Sequence, residues 1–178
     1  MAVQLAPRHD PPTSHEIPAT EFRHVLGHLP TGVTVIAGYG PDGPVGLAAN
    51  SLTSVSLNPP LVALCPARSS TSWPQIRQAQ QFCVSILGAD HEHVSRQFAR
   101  SGTDKFADIS WHERSTGPAL DGAVAWIDCV LEDEHPAGDH TIAVARVLKV
   151  EAVESVDDAS ALVFFRGRYG RFLGTDHI

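Results

Sequence analysis

Residues 123–135, AVAWIDCVLEDEH, and residues 140–153, HTIAVARVLKVEAV, are two long runs rich in β-branched and apolar residues, joined by Pro136-Ala137-Gly138-Asp139. Two such runs either side of a short glycine-bearing link predict a long antiparallel hairpin. In the second run Ile142, Val144, Leu148 and Val150 fall on even positions, interrupted by Arg146, so an unbroken strand sets them on one face.

Working outward, most of the chain reads the same way. Residues 32–39 (GVTVIAGY) form a β-branched run, 40–44 (GPDGP) a turn, and 45–51 the strand after it. Residues 53–57 alternate, Asn58-Pro59-Pro60 breaks them, and residues 61–65 (LVALC) form a compact apolar strand. Residues 82–87 and 161–166 add two more. Helices are few. Residues 20–29 place Phe22, Val25, Leu26 and Leu29 on one stripe before Pro30. Residues 72–80 suit a helix with Ser72 as N-cap and Pro74 in its first turn. Asp90 can cap a third over residues 91–100, with Val94 and Phe98 on its inner face. Seven or more strands with two or three short helices exclude a doubly wound α/β fold. They predict a mainly β, closed or nearly closed antiparallel barrel, since closure removes exposed strand edges. Residues 1–18, with four prolines and no apolar period, read as a mobile tail, leaving residues 19–174 as one domain.

Composition narrows the function. A chain of 178 residues fits one domain, and 43% hydrophobic with 19% charged residues is ordinary for a globular protein. A net charge of -7 argues against a nucleic-acid or anionic-membrane partner. No apolar run approaches a membrane span, and the N-terminus lacks an export pattern, so a cytoplasmic protein is expected. Cys65, Cys83 and Cys129 are odd in number, form no CxxC and sit among apolar neighbours, which reads as buried thiols in a reducing compartment.

Several motifs dissolve on inspection. Gly38-Tyr39-Gly40-Pro41-Asp42-Gly43 matches GxGxxG, but prolines interrupt it and a strand follows instead of a helix, so it is a hairpin turn. His24 and His28, and the His91-Glu92-His93 cluster, lack a third ligand at metal spacing. No serine sits in GxSxG, so hydrolase chemistry has no local support. Two hydroxyl-rich segments carry more. Asn50-Ser51-Leu52-Thr53-Ser54 lies at a strand junction, and Arg68-Ser69-Ser70-Thr71-Ser72 runs into the helix expected from residue 72. Such residues mark turns and caps, and they equally build an anion cradle beside open amides. Gly138-Asp139-His140 at the hairpin tip is a turn that also presents a histidine.

Taken in order, Pro30-Thr31-Gly32-Val33-Thr34-Val35, Ala49-Asn50-Ser51-Leu52-Thr53-Ser54-Val55-Ser56 with Pro59-Pro60, the 69–72 cluster, Asp104-Lys105-Phe106, Gly138-Asp139-His140 and Arg168-Tyr169-Gly170 resemble the short-chain flavin reductase family. The resemblance covers about residues 20–173. It implies an antiparallel split β-barrel of Greek-key type that reduces FAD or FMN with NADH, or NADPH, and releases reduced flavin to a flavin-dependent monooxygenase. It also implies a homodimer. By position, Asn50, Ser51 and Thr53 would hold the isoalloxazine edge and ribityl chain, with Thr31, Leu52, Ser54 and Cys65 beside them. Ser69, Ser70 and Thr71 would hold the phosphate, and Lys105 and Phe106 would close over the flavin. His140 would meet the nicotinamide with Asp139 fixing its turn, and Arg168 and Tyr169 would approach the same pocket. NADH is expected over NADPH because the sequence marks no arginine cluster for a 2′-phosphate. Two other readings are a pyridoxamine-phosphate-type FMN oxidase, which wants a more basic pocket, and a flavin-binding barrel without catalysis.

Overall fold

The computed structural model describes residues 17–153 and 160–172. The tail expected over residues 1–18 falls almost wholly outside them. Along the chain run α1 (Ala19–Leu26), β1 (Thr31–Gly32), β2 (Thr34–Gly40), β3 (Gly43–Ala49), β4 (Thr53–Leu57) and β5 (Pro60–Leu64). Next come α2 (Trp73–Ala79), β6 (Gln81–Ile86), a single 3-10 turn at Ala89–His91 and α3 (Glu92–Phe98). The last part holds β7 (Trp111–Glu113), β8 (Pro118–Leu120), β9 (Ala125–Ala137), β10 (His140–Ala152), β11 (Leu162–Phe165) and β12 (Arg168–Arg171).

Seven strands form one antiparallel sheet in the order β3-β2-β6-β9-β10-β5-β4. Its outer strands β3 and β4 are not paired to each other, so the curled sheet is a split barrel rather than a closed one. Smaller sheets, β1-β11-β12 and β7-β8, complete the fold. The long hairpin is present, its two-residue turn opened by Gly138 at φ 64, a conformation that glycine enters without steric cost.

Strand β2 explains where the core sits. Its alternation sends Ile36 into a cluster with Leu64, Phe82, Val84 and Cys129, and Val35 and Ala37 into a second with Leu87, Leu120 and Leu162. Trp73 and Ile76 of α2 close the first cluster, and Val94 and Phe98 of α3 close the second. Each such fully buried large side chain contributes roughly 1.5–3 kcal/mol.

Four expectations need correction. The apolar residues of β10 do not keep to one face, because the ladder slips at Leu148: Val147 opposes Cys129, yet Val150 opposes Ile127. Cross-strand partners share a face, so this bulge moves Val150 to the side opposite Ile142. The buried positions of β10 are instead Ala143 and Ala145. Helix α1 stops at Gly27, before Pro30, and its apolar stripe of Phe22, Val25 and Leu26 is exposed, because no element among the described residues covers it. Asp90 makes no cap bond; a 3-10 turn precedes α3. Cys65 is exposed at the end of β5, whereas Cys83 and Cys129 are buried. Burial pushes both buried thiols up to about 12, which keeps them protonated and unreactive at neutral pH.

Arg114 and Asp128 form the main buried ion pair, with side chains 10% and 3% exposed. Nη2 of Arg114 donates to Asp128 at 2.8 Å, and Nη1 reaches Glu151 at 2.9 Å. Thr116 donates its hydroxyl to the same carboxylate. Burial would raise the Asp128 carboxyl, but the bonds from Arg114 and Thr116 outweigh it and hold the group below its ordinary value.

Candidate functional site

The chain after β5 turns back along the tip of the long hairpin. Ala67 bridges His140, the Thr141 amide donates to the Pro66 carbonyl at 3.0 Å, and the Arg68 amide donates to Asp139 at 2.9 Å. These bonds set the 69–71 hydroxyls and His140 on the rim of one cleft of about 390 Å³. Asn50, Ser51, Cys65 and Lys105 line it too, as do the small residues Ala48, Ala49 and Ala99. Sequence reasoning missed these alanines, whose one signal is smallness where backbone lines a cavity.

The hydroxyls differ in what they already do. Ser70 Oγ accepts the Trp73 amide at 3.1 Å, so Ser70 caps α2. The hydroxyl of Ser72, expected as the cap, makes no cap bond and instead accepts from Lys105 Nζ at 3.0 Å. Ser51 Oγ accepts the Cys65 amide at 2.9 Å, which leaves its own proton free to donate. Ser69 and Thr71 line the cleft with no side-chain bond among the described residues.

His140 Nδ1 lies 2.7 Å from Asp139 Oδ1. That bond lowers the Asp139 carboxyl, which stays ionised and holds the proton of the imidazole on Nδ1. Asp139 itself is 94% exposed, so it orients the ring and adds little to stability.

A side pocket of about 210 Å³ opens from the cleft past Ala48, Ala49 and Asn50, and is walled by Val33, Phe164 and Tyr169. Tyr169 is fixed there by a 2.9 Å bond between its hydroxyl and that of Ser95, with Arg96 stacked over its ring. Thr31 pairs with Phe164 in the ladder, and its hydroxyl is buried with no partner among the described residues. Thr31 itself lines neither the cleft nor the side pocket.

The cleft does not gather every expected residue. Thr53 and Ser54 lie exposed on β4, and Leu52 packs on the core. Phe106 stacks between Phe98 and Trp111, away from the cleft wall. Arg168 opposes Phe165 while Tyr169 opposes Phe164. Successive strand residues face opposite ways, so Arg168 points away from the side of Tyr169, and it lines an outer groove of about 720 Å³ together with Arg166. No group of three metal-ligating side chains occurs among the described residues, and no helix among them is long and apolar enough to cross a membrane.

Comparison with known proteins agrees with this geometry. The model of the flavin reductase like domain matches residues 26–173. A flavin reductase of Pseudomonas putida is 49% identical over 153 residues, 85% of this chain and 88% of that protein. The reductase subunit of a flavin-dependent monooxygenase from Rhodococcus jostii is 41% identical over 83% of this chain and 75% of its own length. An NADH:FAD oxidoreductase of Streptomyces globisporus, solved with NAD and FAD fragments, superposes with a TM-score of 0.82 at 34% identity, covering 90% of this chain and 96% of that one.

Proposed function

Since this chain belongs to the flavin reductase-like domain family, we propose that it transfers a hydride from NADH to FAD or FMN and supplies the reduced flavin to a separate monooxygenase. The observation that carries this reading is one cleft lined by hydroxyls and a lysine, with a side pocket walled by Phe164 and Tyr169 opening from it. The relatives described above are reductases, which favours this activity over a pyridoxamine-phosphate-type oxidase or an inert flavin-binding barrel.

The residues present fit a flavin. Ser69 and Thr71 offer unengaged hydroxyls at one end of the cleft, and Phe164 and Tyr169 wall the side pocket where a planar ring system would lie. Once bound together, the nicotinamide supplies a hydride and the flavin accepts it. The protein's task is alignment, with reacting atoms at roughly 3–3.5 Å, so a strong acid–base pair is not required. Asn50 and Ser51 hold the ring edge and ribityl chain, and Ser69, Ser70 and Thr71 hold the phosphate. His140, its proton fixed on Nδ1 by Asp139, presents Nε2 to the nicotinamide side.

A homodimer is part of the proposal. Leu148 and Val150 on β10 are 55% and 67% exposed, and Leu57 on β4 is 91% exposed. Exposed apolar side chains on these neighbouring strands suit a second copy of the chain. The three cysteines, all free thiols, suit a cytoplasmic setting. The test is direct: purified protein with FAD or FMN is followed by loss of NADH absorbance. Rapid, flavin-dependent turnover supports the reductase, and flavin bound without NADH oxidation overturns it.

A further inference from the structure

Between α3 and β7 the chain leaves regular structure over residues 99–110. Residues 99–104 are exposed, and the return stretch brings Lys105 to the cleft, where it is the only lysine or arginine among the described lining residues. The hydroxyls at 69–71 share that lining, so an anion they hold meets this one full positive charge.

Part of what keeps Lys105 there lies outside the cleft. Its ammonium donates to the Gly46 carbonyl and the Ser72 hydroxyl, each at 3.0 Å. Its backbone is held by Gln97 of α3, which does not line the cleft. The Gln97 amide nitrogen donates to the Lys105 carbonyl at 3.0 Å and to the Ala107 carbonyl at 2.7 Å. A primary amide has two N–H donors, and both are used here. Neither carbonyl accepts another bond among the described residues.

Phe106, between the two carbonyls, adds an apolar anchor, edge-on to Phe98 with ring centroids 5.0 Å apart. Apolar packing is weakly directional, whereas two hydrogen bonds to carbonyls two residues apart fix where the backbone points. A lysine loses much rotamer freedom when it is ordered, and a loop residue loses backbone freedom besides. With the amide clamp in place that cost is met on folding, before any ligand arrives.

We propose that Gln97 is a positioning residue: by pinning the 105–107 backbone to α3 it presents the Lys105 ammonium to the cleft already ordered, and so sets how tightly a phosphorylated flavin is held. The inference rests on the reading in which the cleft holds a flavin with its phosphate at 69–71.

The experiment is calorimetric titration of FMN and riboflavin into wild-type protein, Gln97→Ala, Gln97→Glu, Lys105→Met and the double variant Gln97→Ala with Lys105→Met. Gln97→Glu keeps the side-chain length and replaces the donating nitrogen by an oxygen. Each Gln97 variant should weaken FMN about tenfold, one decade of affinity, and hold riboflavin within twofold of wild type. Lys105→Met alone should weaken FMN at least as much. In the double variant FMN affinity should match that of Lys105→Met within twofold, because a clamp acts only through what it holds. A glutamine with a merely structural role would weaken both ligands alike, or would add its loss to that of Lys105→Met. Either result overturns the inference, as does unchanged FMN affinity in both Gln97 variants. Wild-type protein that binds FMN no more tightly than riboflavin is a separate failure, that of the phosphate cradle itself.

Discussion

Alanine at each of Ser69, Ser70 and Thr71 separates phosphate binding from helix capping. A hydrogen bond to a charged phosphate contributes about 1.5–3 kcal/mol, and 1.4 kcal/mol is a factor of ten. Ser69→Ala and Thr71→Ala, whose hydroxyls make no bond within the described structure, should each weaken FMN by about 10- to 150-fold. Riboflavin, which has no phosphate, should bind both variants as it binds wild-type protein. Ser70 differs, because its oxygen also accepts the Trp73 amide at 3.1 Å. Removing a helix cap costs about 1 kcal/mol, which for a chain of this size lowers Tm by about 2–4 °C. Ser70→Ala should therefore weaken FMN and lower Tm together, while the other two leave Tm alone. Calorimetric titration with FMN and riboflavin, beside thermal melts of the free protein, reads both effects. Parallel losses for FMN and riboflavin would refute the cradle, and an unmoved Tm in Ser70→Ala would refute the cap.

Other perturbations follow the same logic. His140→Ala should lower kcat/KM for NADH by about 5- to 30-fold, the worth of one or two kcal/mol of positioning, with flavin affinity unchanged; an unaltered kcat/KM in steady-state assays would remove the histidine from the site. Arg114→Met strands the Asp128 carboxylate and should cost about 3–5 kcal/mol in urea unfolding at pH 7; a loss below about 1 kcal/mol would deny the pair its structural role. The pH dependence has a definite sign. The Asp128 carboxyl lies below its ordinary 3.8 in the folded protein, so its contribution is complete above that value and fades as the pH falls through the folded one. In Arg114→Met burial is opposed only by Thr116 and the more distant Lys149, so that carboxyl rises and the gap between variant and wild type should narrow as acid is added; a gap that widens would contradict the assignment. Leu148→Glu with Val150→Glu should convert a dimer to a monomer in light scattering, and a wild-type monomer would contradict the proposed pairing.

Much of this was legible in the chain because the signals were local. Two thirteen-residue strands with Gly138 between them announce their own hairpin, and the hydroxyl runs mark the cleft because hydroxyls at strand ends cluster where backbone is exposed. Other features depend on register, which composition does not encode. Both faces of β10 carry apolar residues, so the choice of Ala143 and Ala145 for the interior was settled by packing, and the slip at Leu148 by the ladder itself. Arg168 and Tyr169 read as one motif, yet pleating separates neighbours. Strands β1, β7 and β8 are two or three residues long, too short for any period to show. Whether Ser70 or Ser72 caps α2 turned on a loop geometry that residue types leave open.

The stitches between residues 66–68 and the hairpin tip bear on motion as well as placement. Because Ala67, Arg68 and Thr141 tie the two segments by backbone bonds, His140 and the 69–71 loop are joined as one rim of the cleft. Under the proposed roles, a ligand tail held at 69–71 would also steady His140, and lengthening the Gly138 turn should weaken flavin binding and NADH use together.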